Sequence, residues 1–297
     1  MDTKYLNYIL TIAKKQNMTK AAEELFVSQS SLSQYLTKLE SQLGTPLFFR
    51  SKGRLTLTPA GQLYVEAAKK VLAIKDDLYR NIQSLDNRGH ITIGVTSQFG
   101  LKMLTEIIPP FKSDFPEVTI EITESNVPVL TRLIQEENID CAIMALNSPG
   151  IFSPDQIHIL RQEEVFWSVP RSHPYCQENK GHPVTPKELS QHFSGVPVFL
   201  SKKGSSLRPL EDQIIEDAHL TMTTVCETNS ITAARSMVAM GIGVTLIAAS
   251  CASDLEHVAY YPFSPPLTRL NAFVHRKNWA KNPPEENLLQ RILSYFP

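Results

Sequence analysis

Four leucines set the register of the most strongly patterned stretch of the chain. Leu32, Leu36, Leu39 and Leu43 recur at i, i+4, i+7 and i+11, one stripe of a 3.6-residue period, and Ser28 stands ahead of them as an N-cap. The opposite face is Ser30, Ser33, Gln34 and Thr37. These groups form hydrogen bonds without carrying charge, so they suit base edges in a major groove while cations elsewhere hold phosphates. A shorter helix, roughly Lys20 to Phe26 with Thr19 as its cap, is predicted before it, across the three-residue turn Val27 to Gln29. Ala21, Ala22 and Leu25 are small or apolar enough for a close crossing, and the spacing is that of a helix-turn-helix. Leu47 to Arg50 and Leu55 to Leu57 then read as short strands around Ser51, Lys52, Gly53 and Arg54. That hairpin is a wing, with Arg50 at its base and Lys52 and Arg54 at its tip for phosphate or minor-groove contact.

Thr58 and Pro59 supply a cap and a first-turn proline for the next helix. No proline or glycine follows Gly61 before Gly89, and a helix of that length reaches about 45 Å. Tyr64, Val71, Leu78 and Leu85 repeat every seven positions, with Ala67 and Ile74 between them and the polar Asn81 on the same seam. A lone helix cannot bury such a seam, which predicts a partner chain; packing against the chain's own second half is the alternative.

From Gly89 the pattern becomes short apolar runs alternating with helical ones. ITIGV (91–95) leads to a helix that Pro109 and Pro110 should stop near Ile108, then VTIEI (118–122), a helix from Val129 to Glu137, and IDCAIMA. A second series runs from about Glu164 through FWSV, VPVFL, TTVCE and GVTLI, with helices near Leu207 to Asp217 and Ile231 to Met240. This rhythm predicts parallel sheets covered by helices, in two lobes. Ligands of such sheets gather at strand carboxyl ends, which here are Thr96, Ser97 and Gln98; Ser201, Gly204, Ser205 and Ser206; and Thr228, Asn229 and Ser230. Hydroxyls and amides beside helix N-termini bind carboxylates or other small anions, and Lys202, Lys203 and Arg208 flank the second group. Simple capping of the helices is the alternative reading.

Charge is split along the chain. Residues 1 to 88 hold 13 Lys and Arg against 8 Asp and Glu, and the remainder 16 against 22, so the basic part is the one expected to meet nucleic acid. No run approaches a membrane span and the start, MDTKYLNYIL, lacks the layout of a signal peptide, so a cytoplasmic protein is expected. Cys141, Cys176, Cys226 and Cys251 form no CxxC or Cys/His pattern and are expected as reduced thiols. The chain has no G-x-S-x-G, G-x-x-x-x-G-K-[ST], HExxH or G-x-G-x-x-G motif, so an enzyme is not expected.

The run AAEELFVSQSSLSQYLTKLESQLGTPLFFR followed by LTLTPAG resembles the amino-terminal signature of the LysR-type transcriptional regulators. The resemblance implies an α+β multidomain chain: a winged helix-turn-helix (1–58), a linker and dimerisation helix (59–89), and a two-lobed α/β effector domain resembling periplasmic binding proteins (90–297). Lobe I would comprise 90–163 and 268–297, and lobe II 164–267. By that resemblance Gln29, Ser30, Ser33 and Gln34 fall where family members contact bases, and Arg50 and Arg54 at backbone or wing contacts. Many relatives carry proline at Ser30 and a cation near Gln34, which bears on base preference. Many also have proline where this chain has Ile247 and Ala248, in what is expected to be a loop near the cleft. Asp140, His173 and the GIGV of 241–244 fit the pattern with structural roles. The implied partners are an interrupted palindrome of double-stranded DNA, a second copy in a homodimer or dimer of dimers, a small co-inducer between the lobes, and RNA polymerase. No cofactor or metal is implied. Redox sensing through Cys176, Cys226 and Cys251 is the alternative within the family, and a transporter's solute receptor or an enzyme are the alternatives outside it.

Overall fold

The computed structural model describes residues 3–51, 54–84, 89–96, 98–179, 181–277, 279 and 282–296. Lys52, Gly53, Leu85 and Ser97 lie outside the described residues, as does the Asn81 side chain. The chain divides into two compact units, Met1–Asp86 and Asn87–Pro297.

The first unit runs α1 (Lys4–Lys15), α2 (Met18–Glu24), α3 (Gln29–Leu43), β1 (Phe48–Ser51), β2 (Arg54–Leu57) and α4 (Pro59–Ser84). α2 begins earlier than its sequence suggests. Asn17 is its cap, accepting from the Lys20 N–H at 3.0 Å, and Thr19 lies inside the first turn. Ser28 caps α3 as expected, accepting from the Ser31 N–H at 3.1 Å. Leu32 and Leu36 are fully buried with Ile9, Ile12, Ala21 and Leu47. The leucine stripe then fades: Leu39 is half-buried and Leu43 is 45% exposed. At that end Glu40 takes over, its Oε1 accepting from the N–H groups of Leu47 and Phe48 at 2.7 and 3.2 Å. The wing is thus tied to α3 by a carboxylate. β1 and β2 pair antiparallel, Arg50 opposite Leu55.

Thr58 opens α4, accepting from the Gly61 N–H and donating to the Pro46 carbonyl. A Cβ on Gly61 would stand 2.1 Å from the Leu47 carbonyl oxygen, so only glycine allows the approach. Over 26 residues the helix spans about 39 Å. Tyr64 and Val65 pack on the unit's own core, and Ala68 is buried. Val71, Ile74, Leu78 and Ile82 are 37 to 56% exposed.

The second unit begins with β3 (Gly89–Val95), α5 (Gln98–Asp114), β4 (Val118–Glu124), α6 (Val127–Gln135) and β5 (Cys141–Leu146), three parallel strands with β3 central. Then follow β6 (Ile157–Pro170), α7 (Tyr175–Glu178), α8 (Pro186–Phe193), β7 (Pro197–Leu200), α9 (Arg208–Asp217), β8 (Thr223–Glu227), α10 (Ile231–Ala239), β9 (Thr245–Ala248), β10 (Val258–Tyr261), β11 (Thr268–His275) and α11 (Pro283–Leu293). The expected parallel pairings are present, β3 with β4 and β5 and β7 with β8, and antiparallel strands join them. The long strand β6 pairs antiparallel with β11 over its first half and with β9 and β10 over its second, and β11 also pairs antiparallel with β5. β6 and β11 therefore join the two halves of the unit. α5 runs on through Pro109 and Pro110 to Asp114. Buried Ile107 and Phe111 bracket the prolines, and that packing outweighs the two missing helix bonds. Ile247 and Ala248 lie in β9, not in a loop.

Asp140 is buried and accepts from Thr92 N–H and Oγ1, both at 2.9 Å, and from Arg276 Nε at 3.0 Å, so it locks a strand start. His173 Nδ1 accepts from the Tyr175 N–H in a turn. A Cβ on Gly243 would meet the Pro197 carbonyl oxygen at 2.4 Å. All three have the structural roles expected of them.

Candidate functional sites

In the first unit, Gln29, Ser30, Ser33, Gln34 and Thr37 line one shallow trough along α3, with Lys38 and Ser41 beyond them. A second hollow lies between Gln29 and Ser33 on α3 and Arg50, Ser51 and Arg54 of the wing. The helix face and the hairpin thus form one polar surface bounded by cations. Arg54 is aimed by a neutral group: its Nε and Nη2 donate to Gln16 Oε1 at 2.9 and 2.6 Å. The bond fixes the guanidinium without cancelling its charge. Arg50 is partly offset, with Nη2 3.7 Å from Glu40 Oε2. Gln16 was not legible as part of this surface, because it meets Arg54 across 38 positions of sequence.

The second unit contains a cleft of about 510 Å³. Thr96, Gln98, Ser201, Gly204, Ser205, Ser206, Thr228 and Asn229 all line it, every described residue expected there. α5, α6, α9 and α10 all begin at its wall, so four positive helix ends converge on one space. Several hydroxyls are already acceptors: Thr96 Oγ1 for the Ala145 N–H at 2.7 Å, Ser205 Oγ for Leu207 and Thr228 Oγ1 for Ser230. Each keeps its own O–H to donate, which is what an anion requires. Gln98 Nε2 donates to Thr232 Oγ1 at 2.8 Å, and the Val127 N–H to the Gly204 carbonyl at 3.3 Å, so the two walls are bonded to each other.

The flanking cations are not where the sequence suggests. Lys202 and Lys203 are exposed and outside the lining. Arg208 is bound to Asp212, Glu227 and the Ser201 carbonyl. The cation that lines the cleft is Arg269, only 3% exposed. Its Nε and Nη2 lie 3.0 Å from Glu163 Oε2, and Nη1 donates to Ser206 Oγ at 3.2 Å. Glu163 also accepts from Asn271 Nδ2 and the Ser250 N–H. Burial pushes the Glu163 pKa up, but Arg269 and these bonds outweigh it, so the carboxyl lies below the usual range. Arg269, Glu163, Asn126 and Ser125 were missed; Arg269 sits in the strand TRLNAFVH, where no local motif marks it.

Glu211, on α9, binds Ser201 twice: Oε2 accepts the backbone N–H at 2.8 Å and Oε1 the hydroxyl at 2.9 Å. Burial raises its carboxyl to about 7, against the lowering effect of the Ser201 bonds and Arg208. Burial likewise raises the thiols of Cys141 and Cys251. Among the described residues no group of His, Cys, Asp and Glu could hold a metal ion, and no helix is long and apolar enough to cross a membrane.

Residues 3–62 match the bacterial regulatory helix-turn-helix proteins of the lysR family, and residues 85–297 match the LysR substrate binding domain. The chain is 29% identical to the uncharacterized HTH-type transcriptional regulator YcgK of Bacillus subtilis over 94% of its length and 90% of the relative's. It is 27% identical to the HTH-type transcriptional regulator BudR of Raoultella terrigena, over 88% and 90%. Full-length OxyR from Pseudomonas aeruginosa superposes with a TM-score of 0.62 at 28% identity, covering 99% of this chain and 98% of that one. Full-length CbnR, solved with its target DNA, shares the fold with a TM-score of 0.60 at 19% identity, over 100% of both chains.

Proposed function

The chain belongs to the LysR family of transcriptional regulators, with a helix-turn-helix domain ahead of a substrate-binding domain, and we propose that its effector is a small anionic metabolite, a carboxylate or similar group. The observation that carries this is the convergence of four helix starts, several hydroxyl-bearing side chains and Arg269 on one cleft of metabolite size. α3 enters the major groove with Gln29, Ser30, Ser33, Gln34 and Thr37 facing base edges, and Arg50 and Arg54 meet the backbone. Two copies pair through the apolar stripe of α4 and read an interrupted palindrome. The effector shifts DNA binding or activation by as much as its affinity differs between the protein's arrangements. The protein acts in the cytoplasm as a binding protein, not a catalyst, with RNA polymerase as a further partner. Of the three thiols in the redox alternative, Cys251 is buried and its pKa is raised by that burial, which counts against it as a reactive thiol.

The test is footprinting and mobility shift on the DNA upstream of the protein's own coding sequence, across a salt series and with an unrelated duplex as control. A protected dyad of several helical turns, with affinity changed by small carboxylates, is the expected result; equal affinity for both duplexes overturns operator reading. Arg54→Ala should weaken binding to both duplexes and lower the salt slope by up to about one unit.

A further inference from the structure

Ser201 is fastened at all of its polar atoms. Its N–H and hydroxyl go to the two oxygens of Glu211, and its carbonyl accepts from Arg208 Nη1 at 3.0 Å. The backbone is held from both sides, so the freedom left at this residue is the direction of one hydroxyl proton. While Glu211 is ionised it is acceptor-only, and the Ser201 O–H must point at Oε1. Once Oε1 carries a proton, Glu211 donates to Ser201 Oγ instead, and the serine proton is released to another acceptor. Ser201 lines the cleft, where that acceptor would be a bound anion.

We infer that Glu211 is a positioning residue that couples anion binding in the cleft to uptake of one proton from solvent, by reversing its hydrogen bond with Ser201. The inference rests on the reading of the cleft as an anion site. The balance is simple: one proton enters Glu211 Oε1, the Ser201 proton turns from Glu211 to the anion, and no covalent bond other than that O–H forms or breaks. The buried carboxyl, raised to about 7, makes the uptake readable near neutrality. The charged groups that face it are Arg208 and Asp212 from its own helix, with Glu227 of β8 reached through Arg208.

Glutamine at this position mimics the protonated state permanently. Its carbonyl accepts the Ser201 N–H and its NH2 donates to Ser201 Oγ. Sulfate is a suitable probe because it does not titrate near neutrality, so any proton taken up belongs to the protein. Calorimetry of sulfate binding to the full-length protein, in buffers of different protonation enthalpy, should show uptake approaching one proton at pH 8 and affinity falling up to about tenfold per pH unit above 7. Glu211→Gln should bind sulfate with no uptake from this site and no such slope, and Ser201→Ala should lose the same pH-dependent component. Sulfate bound elsewhere contributes equally to the wild type and to both variants. By reciprocity, sulfate should raise the Glu211 titration midpoint, read from its side-chain carboxyl by carbon-13 NMR. An unmoved midpoint, or equal uptake in wild type and Glu211→Gln, overturns the coupling. Either result leaves the regulator standing, because operator binding is measured separately.

Discussion

Glu211 also has a consequence for folding that needs no ligand. Its folded pKa, about 7, lies above the ordinary 4.5, so the folded protein binds more protons than the unfolded one between those values. The stability it contributes is full below pH 4.5 and is lost as pH rises through 7, to the extent of about 3 kcal/mol. Glu211→Gln should remove that loss. Denaturant unfolding of wild type and variant should give curves of stability against pH that diverge above pH 5, with the variant higher at pH 8; parallel curves would show that the carboxyl titrates normally. Glu163 illustrates the opposite case, a buried carboxyl held below its ordinary range by Arg269 and by bonds from Ser250 and Asn271.

Among the elements, α4 carries a run of exposed large apolar side chains, Val71, Ile74, Leu78 and Ile82. The seven-residue repeat was legible in the sequence, yet its first member, Tyr64, packs on the helix's own unit, so the open stripe begins at Ala67. Ile74→Glu would place a charge inside any pairing along that stripe. Sedimentation should then show the mass of a single chain where the wild type shows at least two; an unchanged mass would move the interface elsewhere. Elements governed by neighbours in sequence were readable: the Ser28 cap, the wing, the loops carrying Thr96, Ser205 and Thr228. Those governed by distant partners were not. Pro109 and Pro110 mark a stop by every local rule, and only Ile107 and Phe111, buried against other elements, explain why α5 continues. Arg269 became a cleft residue, and Lys202 and Lys203 did not, through strand pairing and loop direction that spacing does not encode.

At the scale of the whole molecule, each unit closes its own core, and β6 and β11 are the members that tie the second one together. Glu163 and Arg269 are direct cross-strand neighbours on those two strands, so the ion pair at the cleft also staples the junction. Sequence rhythm conveyed two lobes and their parallel strands, whereas the antiparallel return of β11, which the lobe boundary at 268 implied, came from the family resemblance because helices between strands signal only crossovers.

That return carries a rule about where the gene tolerates a premature stop. β11 is encoded near the end, yet in space it lies between β6 and β5. A chain ending at Pro266 would therefore be missing the middle of its sheet, not its margin, and β10, β6 and β9 would be parted from β5, β3 and β4. Such a truncated protein should lose the cooperative unfolding transition of the second unit altogether, seen by calorimetry as a missing peak. A retained peak would mean that the two halves of the sheet hold together without the strand between them.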